Sequence, residues 1–152
     1  MALRQLRFND DEILRKKCRE VEKVDDRIRE LLEDMMDTLH ATENGAALAA
    51  SQIGILKRLV VVDMGGPEGP MKLVNPRIVA SEGTQECIEG CLSFPGRFGR
   101  TVRPAKVTVE ALDEWGKPLT LTGEGDLAKC FCHEIDHLDG KVFIDIVTEY
   151  LD

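Results

Sequence analysis

The stretch Cys132-His133-Glu134-Ile135-Asp136-His137-Leu138 decides how this chain is built. It sets two imidazoles four residues apart, with a carboxylate directly after the first. Residues four apart share a helix face, so both rings can reach one metal ion. Glu134 follows about 100° further round, near enough to exchange a proton with a water activated there. Gly125-Asp126 supplies a start and Gly140 a stop for such a helix. Within it Leu127, Phe131, Ile135 and Leu138 cluster on one side and Cys130, His133 and His137 on another. Lys129, Cys132, Asp136 and Asp139 form a third side, expected to face outward. A wide apolar stripe with a narrow outward strip marks a helix buried on most sides. The imidazoles are therefore expected to face protein, where polar groups need partners.

Upstream, Ile28, Leu31, Leu32, Met35 and Leu39 recur at spacings of three and four. Together with Asp25 as N-cap and Asn44-Gly45 as stop, they predict a helix over 25–43 whose Met and Leu stripe packs a core. The β-branched run 59–63 ends before Gly65-Gly66-Pro67 and reads as a buried strand. Further strands are expected at 72–74, 78–81 and 106–112, the last alternating Val107, Val109 and Ala111 with Thr108 and Glu110. Trp115-Gly116 then turns the chain into 119–122, and Val142, Ile144 and Ile146 alternate again after the motif helix. The predicted class is α+β: a mostly antiparallel sheet wrapped around the central motif-bearing helix, with an N-terminal helix.

The 152 residues, 1–152, are read as one domain, because a chain this long buries roughly 70% of its unfolded surface. With 43% hydrophobic and 32% charged residues, the chain reads as an ordinary globular protein, not a disordered one. No apolar run is long enough for a bilayer, and the first twelve residues lack a secretory pattern. A cytoplasmic location is the expectation. Five cysteines without an export signal suggest free thiols or metal ligands. A formal charge of -8 repels phosphate backbones and anionic lipids, so neither direct nucleic-acid binding nor membrane binding is expected.

The motif still lacks a third ligand. A candidate lies in Glu86-Cys87-Ile88-Glu89-Gly90-Cys91-Leu92-Ser93-Phe94-Pro95-Gly96, a stretch rich in turn formers. Two His and one Cys leave a fourth tetrahedral position open for water, which suits catalysis, whereas four protein ligands would close the site.

Three ordered motifs make the chain resemble the peptide deformylase family: Gly45-Ala46-Ala47-Leu48-Ala49-Ala50-Ser51-Gln52, Glu89-Gly90-Cys91-Leu92-Ser93 and His133-Glu134-Ile135-Asp136-His137. Ala47 stands where the family usually has a second glycine, and Cys132 where it often has Gln. The resemblance implies that Cys91, His133 and His137 hold one divalent ion, Fe2+ natively, with Zn2+, Ni2+ or Co2+ as substitutes. It makes Glu134 the general base and then the general acid. The Gln52 side-chain amide and the Leu92 backbone N–H become donors to the tetrahedral oxyanion. The implied substrate is an N-formylmethionyl nascent peptide, releasing formate. Its backbone would lie along Gly45, Ala46, Ala47 and Gly90, and its methionine side chain in a pocket walled by Ala46 and Cys130. Arg103 is expected to pair with Glu89. A transient ribosome contact would have to use a surface other than the long C-terminal helix of some members.

Cys18 is expected to be a small core residue, Cys132 to face outward, and Cys87 and Cys130 to leave the ion alone. Two other classes compete with a deformylase. A structural metal clamp would need neither Glu134 nor Gln52. A conventional metallopeptidase commonly takes its third ligand downstream of the motif, whereas Cys91 is upstream.

Overall fold

The computed structural model describes residues 3–43 and 45–151; Met1, Ala2, Asn44 and Asp152 lie outside the described residues. With Asn44 goes half of the expected helix stop. Helix α1 (Asp26–His40) starts where predicted, because the Asp25 carboxylate accepts the Ile28 N–H at 3.1 Å. It ends at Ala41, earlier than the expected 43, and all five residues of its apolar stripe are buried.

Strands β1 (Ala47–Ala49), β2 (Leu59–Val62), β3 (Met71–Glu82), β4 (Gln85–Cys91), β5 (Phe94–Arg103), β6 (Lys106–Leu112) and β7 (Pro118–Glu124) follow. Helix α2 (Asp126–Leu138) carries the motif, and β8 (Glu149–Tyr150) closes the described chain. All strand pairs are antiparallel, but they form two sheets: a larger one in the order β1-β2-β3-β6-β7 and a smaller one in the order β4-β5-β8. The larger sheet separates the two helices. Leu59 and Val61 of β2 pack with α1, while Val60 and Val62 pack with α2. That is why the run 59–62 is apolar at every position: both of its faces are covered. Among the described residues no helix is long and apolar enough to cross a membrane.

Three expectations are corrected. Strands 72–74 and 78–81 are one strand, β3, with a register shift between Val74 and Arg77. There Asn75 adopts φ 52° and its amide bonds both the N–H and the C=O of Val21, at 2.8 and 2.9 Å, which anchors the kink. The alternation at 142–146 is not a strand. The Asp145 carboxylate accepts the Val142 N–H at 3.1 Å and folds 143–145 into a 3-10 turn, leaving Phe143 buried against Leu14 and Phe94. Cys132 does not face outward but is 5% exposed, because the smaller sheet covers the third face of α2. Burial pushes its thiol up to about 11.

Helix α2 ends in a Schellman arrangement: the Lys141 N–H reaches the Asp136 C=O at 3.0 Å and the Gly140 N–H reaches the His137 C=O at 3.1 Å. Gly140 sits at φ 75°, and a Cβ there would lie 2.4 Å from the carbonyl oxygen of Arg15. Gly140→Ala is therefore expected to destabilise the fold by about 1–3 kcal/mol or more, the strain of a left-handed non-glycine residue plus a backbone clash. Urea unfolding measures this; an unchanged midpoint would refute the close approach.

Candidate active site

Helix α2 lies between the two sheets and sends its motif face toward the tight turn that joins β4 to β5. That turn, Leu92-Ser93, pairs Cys91 with Phe94 and presents the Cys91 thiol to the helix. Cys91 Sγ and His133 Nε2 each lie 3.3 Å from His137 Nε2, and the three ligand atoms all lie within 4.8 Å of one another. No fourth protein ligand joins this group among the described residues. Neither Cys87 nor Cys130 belongs to it.

The rings are held from behind. His133 Nδ1 donates to Glu89 Oε1 at 2.8 Å, which leaves Nε2 as the lone-pair nitrogen toward Cys91. Phe143 stacks on the same ring at 5.9 Å between centroids. Glu89, 2% exposed, also accepts from Arg103 Nε at 2.7 Å, from Arg103 Nη2 at 2.9 Å and from the Thr101 hydroxyl. Arg103 reaches back to Asp136 on α2 at 2.7 Å, so the expected Glu89–Arg103 pair also ties the small sheet to the helix. Burial works against charge on Glu89, but the bonds from Arg103, His133 and Thr101 outweigh it and hold the carboxyl well below its ordinary value.

The electrostatics ask for a cation. Burial opposes a charge on His133, yet the Cys91 bond, the Glu134 charge and the Glu89 bond together pull its proton affinity well above normal. Burial and the positive neighbours His133 and Arg103 keep His137 neutral. A thiol and two carboxylates around buried imidazoles thus stabilise added positive charge, and a neutral imidazole and a thiolate are the forms that bind a divalent ion.

Glu134 is 5% exposed, with Oε2 3.8 Å from His133 Nε2 and with a buried Oε1 that has no hydrogen-bond partner. Burial is the main cause that pushes its carboxyl up to about 7; Glu89 adds to the rise while His133 and Arg103 oppose it. A group so placed gives and takes a proton near neutrality.

Glu134 opens into a cavity of 660 Å³ that also reaches Gln52, Cys91 and His133. The residues expected along the substrate, Gly45, Ala46, Ala47, Gly90 and Cys130, line it, and so does Leu92. His137 is fully buried behind them. Ala47 belongs to β1, opposite Val62, and is not among the described residues with positive φ, so its methyl group introduces no strain. At Gly45 a Cβ would lie 2.3 Å from the Thr42 hydroxyl, so any larger residue there would have to displace that side chain. Gln52 Oε1 accepts the Ala49 N–H at 2.9 Å, and Nε2 sits 3.5 Å from Cys91 Sγ.

Thr101, Asp136 and Ser93 were not singled out from the sequence. The signal lay in the period of two through Cys87, Glu89 and Cys91 and through Thr101 and Arg103. Charged residues occupy the inward positions, so the pattern does not look like a half-buried strand.

A family model described as polypeptide deformylase matches residues 3–150. Peptide deformylase 2 of Clostridium acetobutylicum is 66% identical over 99% of both chains. A peptide deformylase of Acetivibrio thermocellus is 52% identical over 100% of this chain and 88% of its own. Among solved structures, a peptide deformylase from Legionella pneumophila superposes with a TM-score of 0.92 at 47% identity, covering 97% of this chain and 87% of that one. One from Synechococcus elongatus in complex with actinonin superposes at 0.91 with 39% identity, covering 96% and 79%.

Proposed function

The chain belongs to the peptide deformylase family, and from that premise we propose that Cys91 Sγ and the Nε2 atoms of His133 and His137 hold its metal, with Glu134 as the proton carrier. The enzyme is a metal-dependent hydrolase that removes the N-formyl group from formylmethionine at the N-terminus of newly made polypeptides, releasing formate. The observation that carries the residue assignment is the buried Glu134, whose Oε1 has no hydrogen-bond partner and which lines the same cavity as Cys91 and His133. We take residues 1–152 as one catalytic domain.

A divalent ion in this donor set supplies Lewis acidity, polarising the formyl carbonyl and lowering the pKa of water from 15.7 toward about 7. Glu134 receives the proton of the attacking water and returns it to the departing amine. The Gln52 amide and the Leu92 N–H donate to the oxygen on which charge develops. The expected ion is Fe2+, although Zn2+, Ni2+ and Co2+ suit the same ligands.

The topology supports an extended substrate. β1 is one edge strand of the larger sheet and β4 one edge strand of the smaller, and Ala47 on β1, Gly45 and Ala46 just before it, and Gly90 on β4 line the cavity. A peptide entering as a strand bonds to backbone there and sends its methionine side chain toward Ala46 and Cys130. Burial raises the Cys130 thiol, so this wall stays neutral and apolar. The same reading places the reaction in the cytoplasm, with at most a transient ribosome contact.

Anaerobic titration of the metal-free chain with Fe2+, followed by formate release from a short formyl-Met peptide, tests the assignment. One ion per chain with activity is expected, and Cys91→Ala should lose both. A Cys91→Ala protein that still binds one ion and turns over would refute the ligand set. Gln52→Ala is expected to lower kcat by about 10²–10³-fold, the usual loss on removing one oxyanion donor. Steady-state kinetics of the metal-loaded variant decide it, and a loss below about threefold would exclude that role.

A further inference from the structure

Gln52 and Leu92 stand on different supports. Gln52 lies in the 3-10 turn Ala50–Ile53 that follows β1, whereas Leu92 and Ser93 form the tip of the β4–β5 hairpin in the other sheet. Two features fix one against the other. Gln52 Nε2 donates to Ser93 Oγ at 3.2 Å, and both residues are buried, at 1% and 0% exposure. An amide nitrogen carries two hydrogens. With one of them committed to Ser93, the other is turned toward Cys91 Sγ, 3.5 Å away, beside the place where the oxyanion forms.

The second feature is the N-terminal segment. The Arg7 N–H bonds the Gln52 carbonyl at 2.7 Å, and two residues later the Asn9 N–H bonds the Ser93 carbonyl at 2.8 Å. One short piece of chain thus grips one carbonyl from each support. Asn9 sits at φ 50°, a conformation that Asn and Gly tolerate and β-branched residues resist.

We propose that Ser93 and the Arg7–Asn9 strap are positioning elements for the transition-state donors: Ser93 aims the Gln52 amide, and the strap sets its separation from the Leu92 N–H. This rests on the reading of Gln52 as an oxyanion donor. Misplacing a catalytic group by about 1 Å costs up to about 100-fold in rate, so an interaction remote from the substrate has kinetic consequences.

The test is steady-state kinetics of metal-loaded, full-length variants on a formyl-Met peptide. Ser93→Ala is expected to lower kcat about tenfold, leaving KM and metal content unchanged. Placed on Gln52→Ala, the same substitution should cost nothing further, because its effect passes through the Gln52 amide. An equal loss in both backgrounds, or no loss in the parent, overturns the proposal. If Gln52→Ala alone leaves kcat unchanged, the donor reading itself fails, and the positioning claim fails with it. Asn9→Val, which resists the left-handed conformation, should reproduce the selective loss of kcat, and Asn9→Gly should retain the parent value. Parent-like kinetics in Asn9→Val, or equal losses in both Asn9 variants, refutes the strap, and this pair also serves should Ser93→Ala fail to fold.

Discussion

Glu134→Gln is expected to reduce kcat for deformylation by about 10²–10⁴-fold, the usual contribution of a positioned general acid–base. Gln keeps the size and polarity of the side chain but cannot cycle a proton. The second half of this expectation separates chemistry from architecture. Glu134 is buried with one oxygen unpartnered, and a buried, incompletely satisfied carboxylate opposes folding. The variant should therefore be at least as stable as its parent. Initial rates of formate release, together with thermal unfolding at matched metal occupancy, measure both effects. Activity within tenfold of the parent would remove Glu134 from the mechanism; a large fall in melting temperature would show instead that it holds the fold.

Arg103→Leu is the second large effect, expected in stability first and activity second. Arg103 is 6% exposed and makes two bonds to Glu89 and one to Asp136. Its removal leaves Glu89 buried with only Thr101 and His133 as partners. Breaking a buried pair from one side costs about 3–5 kcal/mol, because the remaining charge has lost its compensation. Urea unfolding should show that loss, and a change under about 1 kcal/mol would be incompatible with it. Folding depresses the Glu89 carboxyl, so in the parent the pair stabilises the fold above the ordinary carboxylate range. That contribution is lost as pH falls through the depressed value. Since Glu89 also fixes the His133 ring, the destabilised variant should hold its metal less tightly.

Legibility followed the source of each signal. The motif helix was readable because its periodicity and its end signals, Gly125 and Gly140, are local, and α1 because Asp25 caps a continuous apolar stripe. The hairpin β4–β5 was not readable as strands. Its inward positions carry Glu89, Thr101 and Arg103, and such charges are tolerated there only because they bond one another across the hairpin. Cys132 went astray for a related reason. The polar residues around it on α2 suggest solvent, but Asp136 is polar in order to meet Arg103.

From the sequence alone came the α+β class, the expectation that Cys91, His133 and His137 hold a metal beside Glu134, and the set of residues expected along the substrate. His133, Glu134 and His137 follow from spacing along one helix, whereas Cys91 as third ligand and the residues expected beside the substrate came from the resemblance of three ordered motifs to a known family. Only the tertiary structure decided that the strands divide into two sheets, with one edge strand of each, β1 and β4, beside the cavity. It also revealed that Glu89, Arg103 and Asp136 knit the smaller sheet to α2, and that residues 7–9 join the supports of Gln52 and Ser93. Those features depend on which distant segments meet. Partners far apart in the chain leave no local periodicity, since the free energy that selects them comes from burying and pairing groups that touch only once the chain has folded.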